Sequence, residues 1–386
     1  MSGFADNDAG GVTTYSIAGA QFGYELLWVL LASQLALMVT QEAGARLGLA
    51  TGQGLSGLIR ERFGVRWTVV AVLTMLAANL GDTVAEFAGI GAALALFGVP
   101  VQVSALVAAV AMVLLLARSD YRRIQLLFVL VGVAVSLAYA ISAVLAKPDW
   151  AQAVASVVIP HGYLGDAGYL LTVVGVVGTT ITPWGQSFIQ SYVVDKGLGR
   201  NDLPGSRLDI TLGALLTNLV AGFIVIACAA TLFTHGIVIT DAADAARALG
   251  PLAGSAATTL FAAGLLAASL LGLGTVPLTS AYAACEAFGW EAGLDHRWGD
   301  ARAFYGLLSL FVGFAALFIL IPGLPLIAVL FLSQVFDGLL LPIILVFVML
   351  LAGDRKLMGD LRSGRVLMSL GWGVTIAIGA MSIALV

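Results

Sequence analysis

Charge is scarce in this chain. Of its 386 residues, 10% are Asp, Glu, Lys or Arg and 60% are hydrophobic, giving a mean hydropathy of +1.02. Soluble domains are about a quarter charged, so the composition excludes a water-soluble globular protein and points to a polytopic membrane protein. Cysteine is almost absent: Cys228 and Cys285 are the pair present. Both lie in apolar stretches and read as small core residues, not as a disulfide framework or thiolate metal site. Histidine is equally rare. His161, His235 and His296 fall in or beside connections between apolar stretches, where solvated or helix-end roles are expected. No glycine-rich phosphate loop and no polar domain able to hold a nucleotide occur, which excludes ATP-driven work. No signal peptide with a basic n-region is present.

What the chain has instead is long apolar runs. About eleven are long enough to cross a bilayer, at about 20 residues each. They lie near 3–20, 25–46, 67–98, 101–117, 124–146, 167–194, 208–234, 253–286, 303–322, 325–352 and 366–386. The connections after the even-numbered runs, with the helix ends beside them, hold Arg46, Arg60, Arg62, Arg66, Arg118, Arg122, Arg123, Lys196, Arg200, Arg207, Arg297, Arg302, Arg355, Lys356, Arg362 and Arg365. The opposite side keeps Lys147 and Arg247. By the positive-inside rule the even connections are cytoplasmic, the N-terminus is inside and the C-terminus outside.

Two of these runs are interrupted. The first opens with Asp6-Asn7-Asp8-Ala9-Gly10-Gly11. Carboxylates at membrane depth are costly and usually face an ion pathway or a partner. The adjacent glycines suggest a helix that breaks and exposes backbone carbonyls, pointing to a metal-ion site. Five residues precede Asp6, so the first helix is expected to begin upstream of this sequence. The sixth run carries Gly178-Thr179-Thr180-Ile181-Thr182-Pro183-Trp184-Gly185. Pro183 cannot donate a helix hydrogen bond and disfavours helix at Thr182. Runs one and six each begin a block of five, and five is odd, so the second block enters the membrane inverted. Paired broken helices in inverted repeats mark a transporter's central site. The expected organisation is a first repeat over 1–150, a second over 151–352 and an additional helix over 353–386.

The chain resembles the NRAMP (natural resistance-associated macrophage protein) family of divalent metal transporters along nearly its whole length. The family's Asp-Pro-Gly-Asn in helix one matches Asp8-Ala9-Gly10-Gly11, and its Ala-Thr-Val-Met-Pro-His in helix six matches Thr179-Thr180-Ile181-Thr182-Pro183-Trp184. Further matches are Gly23 to Leu31, Leu47 to Gly52, Ala85-Glu86-Phe87, Lys147-Pro148-Asp149-Trp150 and Leu332-Ser333-Gln334-Val335. The resemblance implies an all-α integral membrane protein with a LeuT-type 5+5 inverted repeat and broken helices one and six. It also implies a metal site at Asp8, Gly11, Thr179, Thr182 and Gln334, with no catalytic or cofactor-binding residues.

Departures from the pattern shift the expected cargo. Where the family has an Asn, Gly11 offers no amide oxygen. Where it has a Met thioether, Thr182 offers a hydroxyl, while Thr179 can still offer its carbonyl. Thioethers favour polarizable transition metals, whereas oxygen ligands suit Mg²⁺, Ca²⁺ and Mn²⁺. Mg²⁺ also keeps several of its waters. The resemblance is therefore to the branch associated with Mg²⁺. The family's proton-coupling His is Trp184 here, and its helix-three Asp is Thr83, with Asp82 shifted by one position, about 100° around the helix; Glu86 remains.

The expected function is import of Mg²⁺, and of Mn²⁺, by alternating access without proton coupling. The alternative is a proton-coupled Mn²⁺ or Fe²⁺ transporter, with an organic-solute symporter of the same architecture behind it. An intramembrane aspartyl protease is disfavoured because the nearest stretch to its Gly-x-Gly-Asp motif is Asn79-Leu80-Gly81-Asp82. No cofactor beyond transported Mg²⁺ or Mn²⁺ is expected, the lipid bilayer is the partner, nucleic acid is not, and a monomer is the expected state. Asp6 reads as an entrance or structural residue. Asp337 reads as lining an aqueous path or pairing with a polar group in helix three. Glu42 reads as part of a structural network and Glu286 as an interfacial anchor.

Overall fold

A computed structural model describes residues 8–117, 121–293 and 298–386, without the side chains of 115–128. Asp6, Arg118, His296 and Arg297, and the side chains of Arg122 and Arg123, lie outside the described residues. Everything described is helix or connection. The helices are α1 (Ala9–Phe22), α2 (Leu27–Thr51), α3 (Leu55–Phe63), α4 (Val65–Ala95), α5 (Val101–Ala117), α6 (Tyr121–Leu145), α7 (Trp150–Val158), α8 (Ala167–Thr180) and α9 (Pro183–Asp195). They continue as α10 (Leu203–Thr231), α11 (Ala242–Ala246), α12 (Gly250–Ala253), α13 (Ala257–Phe288), α14 (Arg302–Ile319), α15 (Leu326–Gly353), α16 (Arg355–Met358) and α17 (Arg365–Leu385).

Among the described residues, each expected span overlaps a helix or, at 167–194, the pair α8 and α9. Among the described residues, 7 helical stretches are long and apolar enough to cross a membrane unaided. The helices at the other spans, α1, α2, α5 and α6, are shorter or slightly more polar, and α6 meets α7 at a 119° bend. Short helices also occupy several connections, which the apolar-run pattern does not reveal. Leu35, Val107, Leu212, Leu317 and Ile383 stand exposed on the outer surface, as lipid-facing residues do.

Six helices surround the centre. Helix α4 packs on α13 and α15, α15 packs on α8, and α1 lies against α8, α10 and α15. The α8–α15 crossing is close enough for backbones to touch. A Cβ on Gly178 would collide with the Gln334 carbonyl oxygen, and one on Gly338 with the Val174 carbonyl oxygen. Small residues at membrane helix crossings permit such approach. Here it seats Gln334 beside the α8 break.

Fixed ion pairs sit away from this centre. Glu42 accepts from Arg46 at 2.9 Å and from Arg207 at 2.7 Å, and Arg46 also donates to the Leu361 carbonyl. This is the structural network expected of Glu42. It ties α2 to the start of α10 and to the turn after α16.

Candidate metal-ion site

Helix α1 begins where the sequence places a carboxylate among glycines. Asp8 has extended backbone (φ −74°, ψ 177°) and acts as the N-cap. Its Oδ1 accepts from the Gly11 N–H at 2.6 Å, and its side chain is buried. Capping satisfies one of the helix's otherwise unpaired N–H groups and aims the carboxylate along the opening turn.

Across from it, α8 ends and α9 begins at Ile181–Thr182. The proline explains the break. The Thr179 carbonyl would pair with the N–H four residues on, but that residue is Pro183, which has none. Thr179 therefore presents an unpaired carbonyl, and its buried Oγ1 has no partner either. A Cβ built on Gly11 would stand 2.8 Å from Thr179 Oγ1 and 3.2 Å from Asp8 Oδ1. Those two oxygens thus border the small space left by the missing side chain, and Asp8, Gly11 and Thr179 come together as expected.

Thr182 is placed differently. It is the N-cap of α9, with its Oγ1 accepting from the Gly185 N–H at 3.2 Å. The hydroxyl is committed to the helix start, which leaves one lone pair for an ion. The neighbouring Thr180 hydroxyl pairs with Tyr15 at 3.0 Å and donates to the Val176 carbonyl. Trp184 is buried, its Nε1 has no partner, and its ring meets Phe188 edge-on at 5.9 Å.

Gln334 faces the start of α1, since a Cβ on Gly10 would overlap its amide. Its Nε2 donates to Asp82 Oδ1 at 3.1 Å and to Ser333 Oγ at 3.2 Å. Asp82 in turn adjoins Asp337. Glu86, one turn further along α4, lies near Asp8, and neither of its carboxylate oxygens has a hydrogen-bond partner among the described residues. Asp8, Asp82, Glu86 and Asp337 are all buried, and none pairs with Lys or Arg among the described residues. Asp82 thus faces the centre despite its one-position shift, and Asp337 takes the alternative of pairing with a helix-three group. The spacings Asp82–Glu86 (i, i+4) and Gln334–Asp337 (i, i+3) each put two polar side chains on one helical face, a signal the sequence contained.

A family profile described as "Natural resistance-associated macrophage protein-like" matches residues 1–386. The chain belongs to the NRAMP family. Among its relatives, the divalent metal cation transporter MntH of Ralstonia nicotianae is 32% identical, over 95% of this chain and 84% of that protein. MntH of Deinococcus radiodurans is 31% identical, over 99% and 87%. The fold matches the crystal structure of the Eremococcus coleocola manganese transporter bound to an aromatic bis-isothiourea substituted compound. The TM-score is 0.79 at 21% identity, covering 99% of this chain and 84% of that one. It also matches MhsT in complex with L-phenylalanine, with TM-score 0.60 at 18% identity over 98% of each chain. The LeuT-type architecture and multi-pass membrane placement follow.

Within this NRAMP chain the candidate donors are all oxygens. Among the described residues no three His, Cys, Asp or Glu side chains converge on one metal position. An ion beside Asp8 would therefore draw on one carboxylate, the Thr179 oxygens and water. Gln334 stands with Asp82 and Asp337, so the Gln334 amide serves two neighbourhoods at once.

Proposed function

We propose that this protein imports divalent metal ions by alternating access, with Mg²⁺ preferred and Mn²⁺ accepted, driven by the membrane potential without proton coupling. The carrying observation is the oxygen-only setting of Asp8 and Thr179 around the space at Gly11. One carboxylate plus neutral oxygens suits Mg²⁺, a hard cation held by few protein ligands. A soft thioether that would favour polarizable transition metals is lacking, and the indole of Trp184 cannot exchange a proton as an imidazole does. The names borne by the MntH relatives and the fold shared with a manganese transporter support the divalent class. The repeat boundaries near 150 and 352, the cytoplasmic N-terminus and the extracytoplasmic C-terminus complete the proposal.

Proton-coupled Mn²⁺ or Fe²⁺ transport is the second reading, favoured by the buried carboxylates of Asp82, Glu86 and Asp337. Reconstituted vesicles holding an internal pH probe separate the two. Uptake of Mg²⁺ that competes with Mn²⁺ and leaves internal pH unchanged supports the first reading. Proton influx tracking Mn²⁺, with no Mg²⁺ uptake, replaces it with the second.

A further inference from the structure

We infer that Asp82, Gln334 and Asp337 form a second cation-binding position, distinct from the one at Asp8 and lying between α4 and α15. The side chains come from two helices and are fully buried. Gln334 Nε2 donates to Asp82 Oδ1 at 3.1 Å, and the Asp337 carboxyl reaches that of Asp82. Around this junction Asp82 Oδ2, both Asp337 carboxylate oxygens and Gln334 Oε1 have no partner. Buried polar atoms are normally satisfied, and an unsatisfied one costs about 1–3 kcal/mol. A cluster with this many open oxygens is therefore incomplete as it stands.

The missing component is positively charged. Two carboxylates from different helices meet with no Lys or Arg among the described residues to offset them, and buried like charges repel strongly in a low-dielectric core. A proton shared between Asp82 and Asp337 would satisfy two oxygens and leave the rest open. A metal ion engages several oxygens at once, and two carboxylates are ligands suited to a hard cation; the Gln334 amide, which turns its Nε2 to Asp82, would rotate to present its carbonyl oxygen.

The test counts ions. The full chain in lipid nanodiscs is dialysed to equilibrium against radioactive Mn²⁺. The expected result is two ions per chain for the unaltered protein and one for Asp337→Asn, Asp82→Asn or Asp8→Asn. The Asp8→Asn/Asp337→Asn pair should bind none. The ion retained by Asp337→Asn and Asp82→Asn reports that these variants are folded. Fewer than two ions in the unaltered protein overturns the inference, as does two in Asp337→Asn. Loss of both ions on changing Asp337 or Asp82 would mean one shared site and would also overturn it. Proton-coupled transport of Mn²⁺ through Asp8 would leave the expected count intact, so the inference and the proposed function fail separately.

Discussion

Gly11→Ala adds a methyl group at the point where the candidate site is narrowest. Its Cβ would lie 2.8 Å from Thr179 Oγ1, 3.2 Å from Asp8 Oδ1 and 3.6 Å from Tyr15 Cε2. Carbon and oxygen pack at about 3.5 Å or more, so Thr179 must yield, and its branched side chain has few rotamers to adopt. Overpacking of this kind costs about 1–3 kcal/mol. If the strain falls on the ion-bound state, affinity drops about 5- to 150-fold at 1.4 kcal/mol per tenfold. The assay is Mg²⁺ uptake into proteoliposomes across a concentration series, with thermal unfolding measured alongside. KM should rise by that factor. Gly222→Ala, whose methyl would meet nothing within 4 Å, should leave KM unchanged. Adding Thr179→Ala to Gly11→Ala should recover stability without recovering uptake, because it relieves the contact by removing the oxygen. A Gly11→Ala protein with KM within about twofold of the parent, less than the estimated strain would produce, would show that this space is not where the ion sits.

Asp8→Asn keeps an acceptor for the Gly11 N–H but removes the charge, so uptake should vanish while the unfolding midpoint holds; retained uptake would remove Asp8 from the site. Thr182→Val deletes the α9 cap and should cost about 1 kcal/mol in a denaturant titration, whereas Thr182→Ser should cost little; equal losses would mean the 3.2 Å contact with Gly185 N–H is incidental. Tyr169→Phe removes the hydroxyl that accepts from Trp28 and donates to the His161 and Glu25 carbonyls. It should destabilise the protein by about 1–3 kcal/mol, with a smaller loss counting against an outer clasp between α8 and the α1–α2 turn. An imposed inside-negative potential should accelerate Mg²⁺ accumulation, since each charge gains about 2.3 kcal/mol per 100 mV and a divalent ion about twice that; uptake indifferent to potential would refute uncoupled entry.

The legible parts of the fold were those decided by local chemistry. A proline that cannot donate, a carboxylate before two glycines and apolar runs of bilayer length each specify their own neighbourhood. The two helix breaks meet, and Asp8, Gly11 and Thr179 come together there as the family resemblance implies. Tertiary placement was less legible. The one-position shift of Asp82 describes rotation about α4 alone, and says nothing of which helix waits on that side. Helix α15 does, and its Gln334 meets Asp82 at 3.1 Å. Thr182 was weighed as a ligand because of its position, yet the first residue before a proline-led helix is also a natural cap, and the cap forms. Glu286 looked like an interfacial anchor at the end of α13. Instead it lies against Gly54 at the start of α3 and accepts from Ser191 Oγ on α9 at 3.3 Å, contacts that no single-helix reading contains.

The distribution of charge gives the centre its character. Where an acid needs a permanent counterion, the chain supplies one: Arg46 and Arg207 meet Glu42, and Arg62 meets Asp354 at 2.6 Å. Among the described residues the same device is withheld from Asp8, Asp82, Glu86 and Asp337, although these are more deeply buried. A fixed arginine there would offset their charge at the cost of its own desolvation. It would also occupy the positions a cation must enter. On the proposed function, leaving the carboxylates without a covalently attached partner leaves their charge for the transported cation to offset.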